Sequence, residues 1–116
     1  MRKYLTAIII FVTSLPLLSQ QKEELIRLHE IDSLKKALPD LRDSARVDCL
    51  NTLASKYYNL DLSWKQYLDS SRPFSIMANQ EAKQIGYKKG LGYSYLRLAT
   101  LEKWKNSIYK EEYKKN

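Results

Sequence analysis

Leu53-Ala54-Ser55, with Leu50 three residues before it and Tyr57-Tyr58 after it, returns as Leu98-Ala99-Thr100, with Tyr95 before it and Trp104 after it. The two copies lie 45 residues apart, and a period between about 20 and 50 residues is the mark of stacked helical hairpins. Around the first copy, Val47, Leu50, Leu53, Ala54 and Tyr57 recur every three or four residues, as the buried stripe of a helix does. Asp43 or Ser44 is placed to cap its start, and Asn59-Leu60-Asp61 to end it. Around the second copy, Leu91, Tyr95, Leu98 and Leu101 repeat that spacing from a start near Gly90 to Trp104. Asn106-Ser107 then reads as a turn before a fifth helix carrying Ile108, Tyr109 and Tyr113.

Working outward, a helix is expected to start near Pro73, a residue favoured in first turns. Phe74, Met77, Ala78, Ala82 and Ile85 form its apolar face, and Gly86 supplies the left-handed residue that closes it. Residues 60–72 read as a long turn with a short helical piece, in which Trp64 and Tyr67 are one turn apart. Upstream, Leu25, Leu28, Ile31, Leu34 and Leu38 mark a helix over residues 22–38. Its acids come early and its bases late, as the helix dipole favours, and Pro39 ends it. No segment alternates apolar and polar residues in the manner of a strand. The fold class is therefore all-α: antiparallel helical hairpins, about four to five helices, stacked as a short solenoid.

The N-terminus reads as a signal peptide over residues 1–19. Arg2 and Lys3 precede an apolar run from Leu5 to Leu18, followed by Ser19 and a polar stretch. The run is about 14 residues, short of the roughly 20 that span a bilayer as a helix. The alternative is an uncleaved anchor. Cleavage is placed after Ser19, which makes the chain exported, periplasmic or secreted. Residues 20–42 then form an N-terminal helix and linker, and 43–116 the repeats. Cys49 is the only cysteine, so no internal disulfide is available, and it reads as a small helix residue.

The formal net charge is +7, and the excess is C-terminal: residues 83–116 hold nine Lys and Arg against three Asp and Glu. A solvated helix surface accounts for this. The other reading is a small secreted helical protein that binds anionic membranes or polyanions through that basic third. Nucleic acid is not an expected partner of an exported chain.

Asp43-Ser44-Ala45-Arg46-Val47, Leu50-Asn51 and Leu53-Ala54, together with Ala78, Ala82, Ile85-Gly86-Tyr87-Lys88-Lys89-Gly90, Tyr93, Tyr95 and Leu98-Ala99, resemble the tetratricopeptide (TPR) repeats of exported N-terminal regions in bacterial sensor histidine kinases and related regulators. The likeness covers residues 43–106. Ala54 and Ala99 stand where the family has its small close-approach residue, and Ala78 resembles the small residue of the second helix. The departures are an absent helix-ending Pro, a first-repeat turn about five residues too long and Glu111 at a position for Ala. The resemblance implies a protein- or peptide-binding scaffold. It places the concave face at Asp48, Asn51, Ser55 and Tyr58, and at Tyr93, Leu96, Thr100 and Lys103. It also implies a chain incomplete at its C-terminus, whose last helical face is open either to missing downstream repeats or to a second copy of the chain in a homo-oligomer.

No enzyme activity, cofactor, metal site or small-molecule substrate is expected. The single histidine, His29, has no second histidine or nearby cysteine to build a metal site or a nucleophile–base pair. Gly86, Gly90 and Gly92 lack the strand and the spacing of a phosphate loop and read as a helix-to-helix turn. The tyrosines on the two matched helices, Tyr57, Tyr58, Tyr93 and Tyr95, suit packing between hairpins and leave their hydroxyls wet.

Overall fold

Helix α2 (Asp43–Tyr58) is the element around which the rest is built. Its stripe of Val47, Leu50, Leu53 and Ala54 is fully buried. The computed structural model describes residues 2–60 and 64–115; the side chains of 2–17, 64, 67, 108, 109 and 111–115 fall outside the description. The described residues are all-helical. Helix α1 (Arg2–Ala37) leads through a 3-10 turn (Leu38–Asp40) into α2, followed by α3 (Trp64–Ile85) and α4 (Lys88–Lys115). Among the described residues no helix is long and apolar enough to cross a membrane. Contacts divide the chain into two units, residues 1–30 and 31–116. In the first unit, residues 18–29 are exposed, Leu25 and Leu28 among them. The core stripe expected from Leu25 to Leu38 therefore begins only at Ile31.

In the second unit two apolar clusters flank α2. Ile31, Cys49, Leu53 and Leu60 form one, with Leu34, Leu38, Tyr57 and Phe74 packed against it. Val47, Leu50, Ala78 and Ala82 form the other. Helix α3 runs antiparallel to α2. The Ser71 hydroxyl donates to the Ala54 carbonyl at 2.8 Å, Tyr57 stacks on Phe74 at 5.7 Å between centroids, and Arg46 pairs with Glu81 at 2.6 Å. So small residues at 54 and 71 let the two backbones approach. Helix α4 runs antiparallel to α3, with Asn79 Nδ2 donating to Ser94 Oγ at 3.1 Å and Arg72 reaching Glu102.

The 45-residue period is carried by contacts as well as by letters. Cys49 Sγ donates to the Leu34 carbonyl at 3.6 Å, and the residues 45 further on, Ser94 and Asn79, are also in contact. Helices α2 and α4 start 45 residues apart, at Asp43 and Lys88, and the preceding helical segments end at Asp40 and Ile85. Gly86 closes α3 as expected. It lies at φ +69°, Tyr87 N–H donates to the Ala82 carbonyl, and Gly86 N–H to that of Lys83, the bond pair of a Schellman cap.

Several expectations are corrected. Helix α3 does not start near Pro73 but runs through it. An interior proline costs about 3 kcal/mol, offset here by packing against helices on both sides, with Ser71 and Ser75 fully buried and Phe74 half-buried. Helix α4 does not turn at Asn106-Ser107, so there is no separate fifth helix; neither residue forbids helical geometry, and each costs only about 0.5 kcal/mol. The side chains of Trp64, Tyr67, Ile108, Tyr109 and Tyr113 lie outside the described residues. Helix α2 has no side-chain cap: Arg42 occupies the N-cap, and Asp43 lies within the first turn at φ +56°. Ala99 is exposed. Helix α4 meets α3 through Leu91 and Ser94, not through the alanine.

Candidate functional site

Helices α2 and α4 lie side by side and parallel, locked at their N-terminal ends. Asn51 Nδ2 donates to the Gly90 carbonyl at 3.0 Å, and the Tyr87 hydroxyl donates to Asp48 Oδ1 at 2.8 Å. Gly90 is buried against Val47; a Cβ there would lie 2.4 Å from Val47 Cγ1. The glycine read as part of a turn thus sits inside α4 and sets how closely it approaches α2.

This pairing leaves a cleft of about 300 Å³, lined from α2 by Asp48, Asn51, Thr52 and Ser55 and from α4 by Lys89, Tyr93, Leu96 and Arg97. Of the residues assigned to the concave face, Asp48, Asn51, Ser55, Tyr93 and Leu96 line this one cleft. Thr100 and Lys103 line a second depression further along α4, with Trp104 and Ser107. Tyr58 stands between the two. The Arg97 guanidinium lies 4.1 Å from its ring centroid, and Trp104 Nε1 donates to its hydroxyl at 3.0 Å.

Sequence reasoning missed Thr52, Lys89, Arg97 and Tyr87. The period carried a signal for two of them, since Thr52 and Arg97 are themselves 45 residues apart. Nothing local marks Tyr87 as the donor to Asp48, because that contact depends on the turn after α3.

The cleft combines fixed polar groups with open apolar ones. Arg97 donates to Ser55 Oγ at 3.0 Å. Burial lowers its pKa, an effect that Tyr58 opposes, and a guanidinium remains charged in proteins. The hydrogen bond to Asp48 holds the Tyr87 phenol above its ordinary range, so it stays a donor at neutral pH. Tyr93 and Leu96 are 55% and 66% exposed, which leaves both ready to bury surface against a partner. No nucleophile–base pair is assembled in the cleft. Among the described residues no three His, Cys, Asp or Glu side chains converge as metal ligands. Comparison with family models, with curated proteins and with solved structures returned no match for this chain.

Proposed function

We propose that residues 31–115 form a short TPR-like solenoid that binds a protein or an extended peptide between α2 and α4. It acts as a scaffold rather than a catalyst and serves as the interaction or sensory part of a signalling system in the cell envelope. The observation that carries this reading is the shared lining of one cleft by Asp48, Asn51 and Ser55 from α2 and Tyr93 and Leu96 from α4. Asp48 and Asn51 correspond through the 45-residue period to Tyr93 and Leu96. A repeat that offers the same helical face twice gives a peptide a continuous track, with main-chain partners in Asn51, Thr52 and Ser55 and apolar anchors in Tyr93 and Leu96. Export rests on the Arg2-Lys3 and Leu5–Leu18 pattern of the N-terminus.

The test is selection of peptides from a random display library on the immobilised chain, followed by anisotropy titration of the enriched peptides. Leu96→Asp and Tyr93→Ala are expected to weaken binding at least roughly tenfold, the size of about 1.4 kcal/mol. Ile76→Ala, on α3 outside the cleft, leaves it unchanged. No enrichment, or binding indifferent to Leu96 and Tyr93, refutes the reading. Binding that persists at the cleft variants and vanishes with salt assigns it instead to the basic C-terminal third.

A further inference from the structure

The cleft between α2 and α4 is uneven in charge. Its α4 wall carries Lys89 and Arg97, and Lys103 follows in the depression further along the same helix. Against these cations the described lining offers one carboxylate, Asp48, which already accepts from the Tyr87 hydroxyl. Arg97 is held by neutral groups: it donates to Ser55 Oγ and lies over the Tyr58 ring. The guanidinium is thus fixed in place and half-buried while its charge is left unmatched, which is costly away from water. Lys89 and Lys103 are exposed, and among the described residues neither is held in an ion pair.

The spacing of these cations suits an extended chain. A helix rises about 1.5 Å per residue, so Arg97 lies about 12 Å along the axis from Lys89, and Lys103 about 21 Å from it. An extended peptide advances about 3.3 Å per residue and points alternate side chains to one face. Its residues i, i+4 and i+6 share a face, and the last two fall at about 13 and 20 Å from the first, opposite the three cations. Residue i+2 on the same face falls at about 7 Å. That is opposite Tyr93, about 6 Å past Lys89 on the helix, with Leu96 next along. We infer that the cleft takes an extended acidic segment of a protein partner, with carboxylates at i, i+4 and i+6 and an apolar side chain at i+2. This rests on the peptide reading above and gives it a ligand class. The apolar residue buries surface on Tyr93 and Leu96. The carboxylates select the partner and its register, the part that charges play at interfaces. An anionic membrane surface presents charge without this register.

Anisotropy titration of the full chain with three labelled, end-capped peptides tests this. They are Glu-Ser-Leu-Ser-Glu-Ser-Glu, its isomer Glu-Glu-Glu-Leu-Ser-Ser-Ser, and the basic counterpart Lys-Ser-Leu-Ser-Lys-Ser-Lys. The first should bind at least about tenfold tighter than either of the others. Lys89→Glu should weaken it about tenfold by placing like charges together, and a peptide whose first Glu is replaced by Lys should recover binding to that variant. Lys103→Glu should behave in the same way towards the last Glu of the peptide. Both positions are exposed, and far-UV circular dichroism checks that the variants keep the fold. Equal binding of the two acidic isomers overturns the proposal, as does a Lys89→Glu variant that the swapped peptide does not rescue. Vesicles of phosphatidylglycerol and phosphatidylcholine form a second arm. If they bind more tightly than the first peptide, and Lys89→Glu weakens both alike, the basic wall is a membrane contact and the proposal is overturned. Display-selected peptides that need Leu96 but lack carboxylates overturn the ligand class while leaving the cleft a peptide site. A library that yields no binder overturns both.

Discussion

Gly90 and Gly92 sit two residues apart near the start of α4, and replacing each with alanine should move stability in opposite directions. Gly92 faces open space, so a Cβ meets nothing within 4 Å. Gly92→Ala then shows only the helix-propensity gain, about 0.5–1 kcal/mol of added stability. At Gly90 the new Cβ lands 2.4 Å from Val47 Cγ1 and 2.7 Å from Tyr87 Cδ2. Val47 is fully buried and, being β-branched, has one strongly preferred rotamer in a helix, so it cannot swing aside. Moving α4 outward instead would lengthen the Asn51 bond to the Gly90 carbonyl. Overpacking of this kind costs about 1–3 kcal/mol. After the propensity gain, Gly90→Ala should be destabilised by roughly 0.5–2 kcal/mol. Urea melts at micromolar protein measure both. A cycle with Val47→Ala should show favourable coupling of about 1 kcal/mol or more, because the overlap disappears with the valine methyls. Equal effects at the two glycines, or no coupling to Val47, would refute the close approach of α2 and α4.

Other outcomes follow from the same geometry. Ala54→Leu should lose about 1–3 kcal/mol by overpacking against α3, whereas Ala99→Leu on the open side of α4 should stay within about 0.5 kcal/mol; denaturant midpoints compare the two. Burial pushes the Cys49 thiol up, with Arg46 opposing, so labelling by a thiol reagent should occur only at the rate of unfolding. The folded pKa being the raised one, Cys49 should contribute full stability below the ordinary thiol range, near about pH 8.5, and lose it as pH rises towards the folded value; chemical melts from neutral to alkaline pH, compared with Cys49→Ala, check this. Protein recovered from the cell envelope should lack residues 1–19, as intact mass would show; a mass that retains them marks an uncleaved anchor.

The parts legible in the sequence were those set by local spacing. The stripe of α2, the Gly86 cap and the pairing of residues 45 apart depend on helical periodicity and on one backbone conformation. What was not legible depended on neighbours. Pro73 is a strong local stop signal, but α3 is packed on two sides, and tertiary contacts outweigh a single unfavourable residue. Leu25 and Leu28 have the spacing of core residues but are exposed, because periodicity locates a stripe without stating where its covering ends. Ala99 matched Ala54 by letter, yet only Ala54 has a helix laid against it. For the candidate site, the resemblance to the repeat family assigned Asp48, Asn51, Ser55, Tyr93 and Leu96 to one face, and these five line one cleft. The Tyr87–Asp48 bond and the Gly90–Val47 contact arise from the angle at which α4 leaves the turn, which no local pattern records.

That turn joins the fold to the cleft. Gly86 adopts φ +69°, which an L residue with a side chain rarely does, and so reverses the chain within two residues. The reversal brings Tyr87 over the N-terminal half of α2, where its hydroxyl donates to Asp48. It also brings Gly90 onto Val47, where its carbonyl accepts from Asn51. Asp48 and Asn51 are both cleft residues, so the bonds that hold the two helices together also fix the orientation of half the α2 lining. Further along, Arg97 bridges Ser55 and the Tyr58 ring, and Trp104 ties α4 to the Tyr58 hydroxyl. The polar groups of the cleft are thereby held before any partner arrives, while Tyr93 and Leu96 remain open. A partner would lose little to ordering these side chains, so its affinity would come mainly from the apolar surface it buries there.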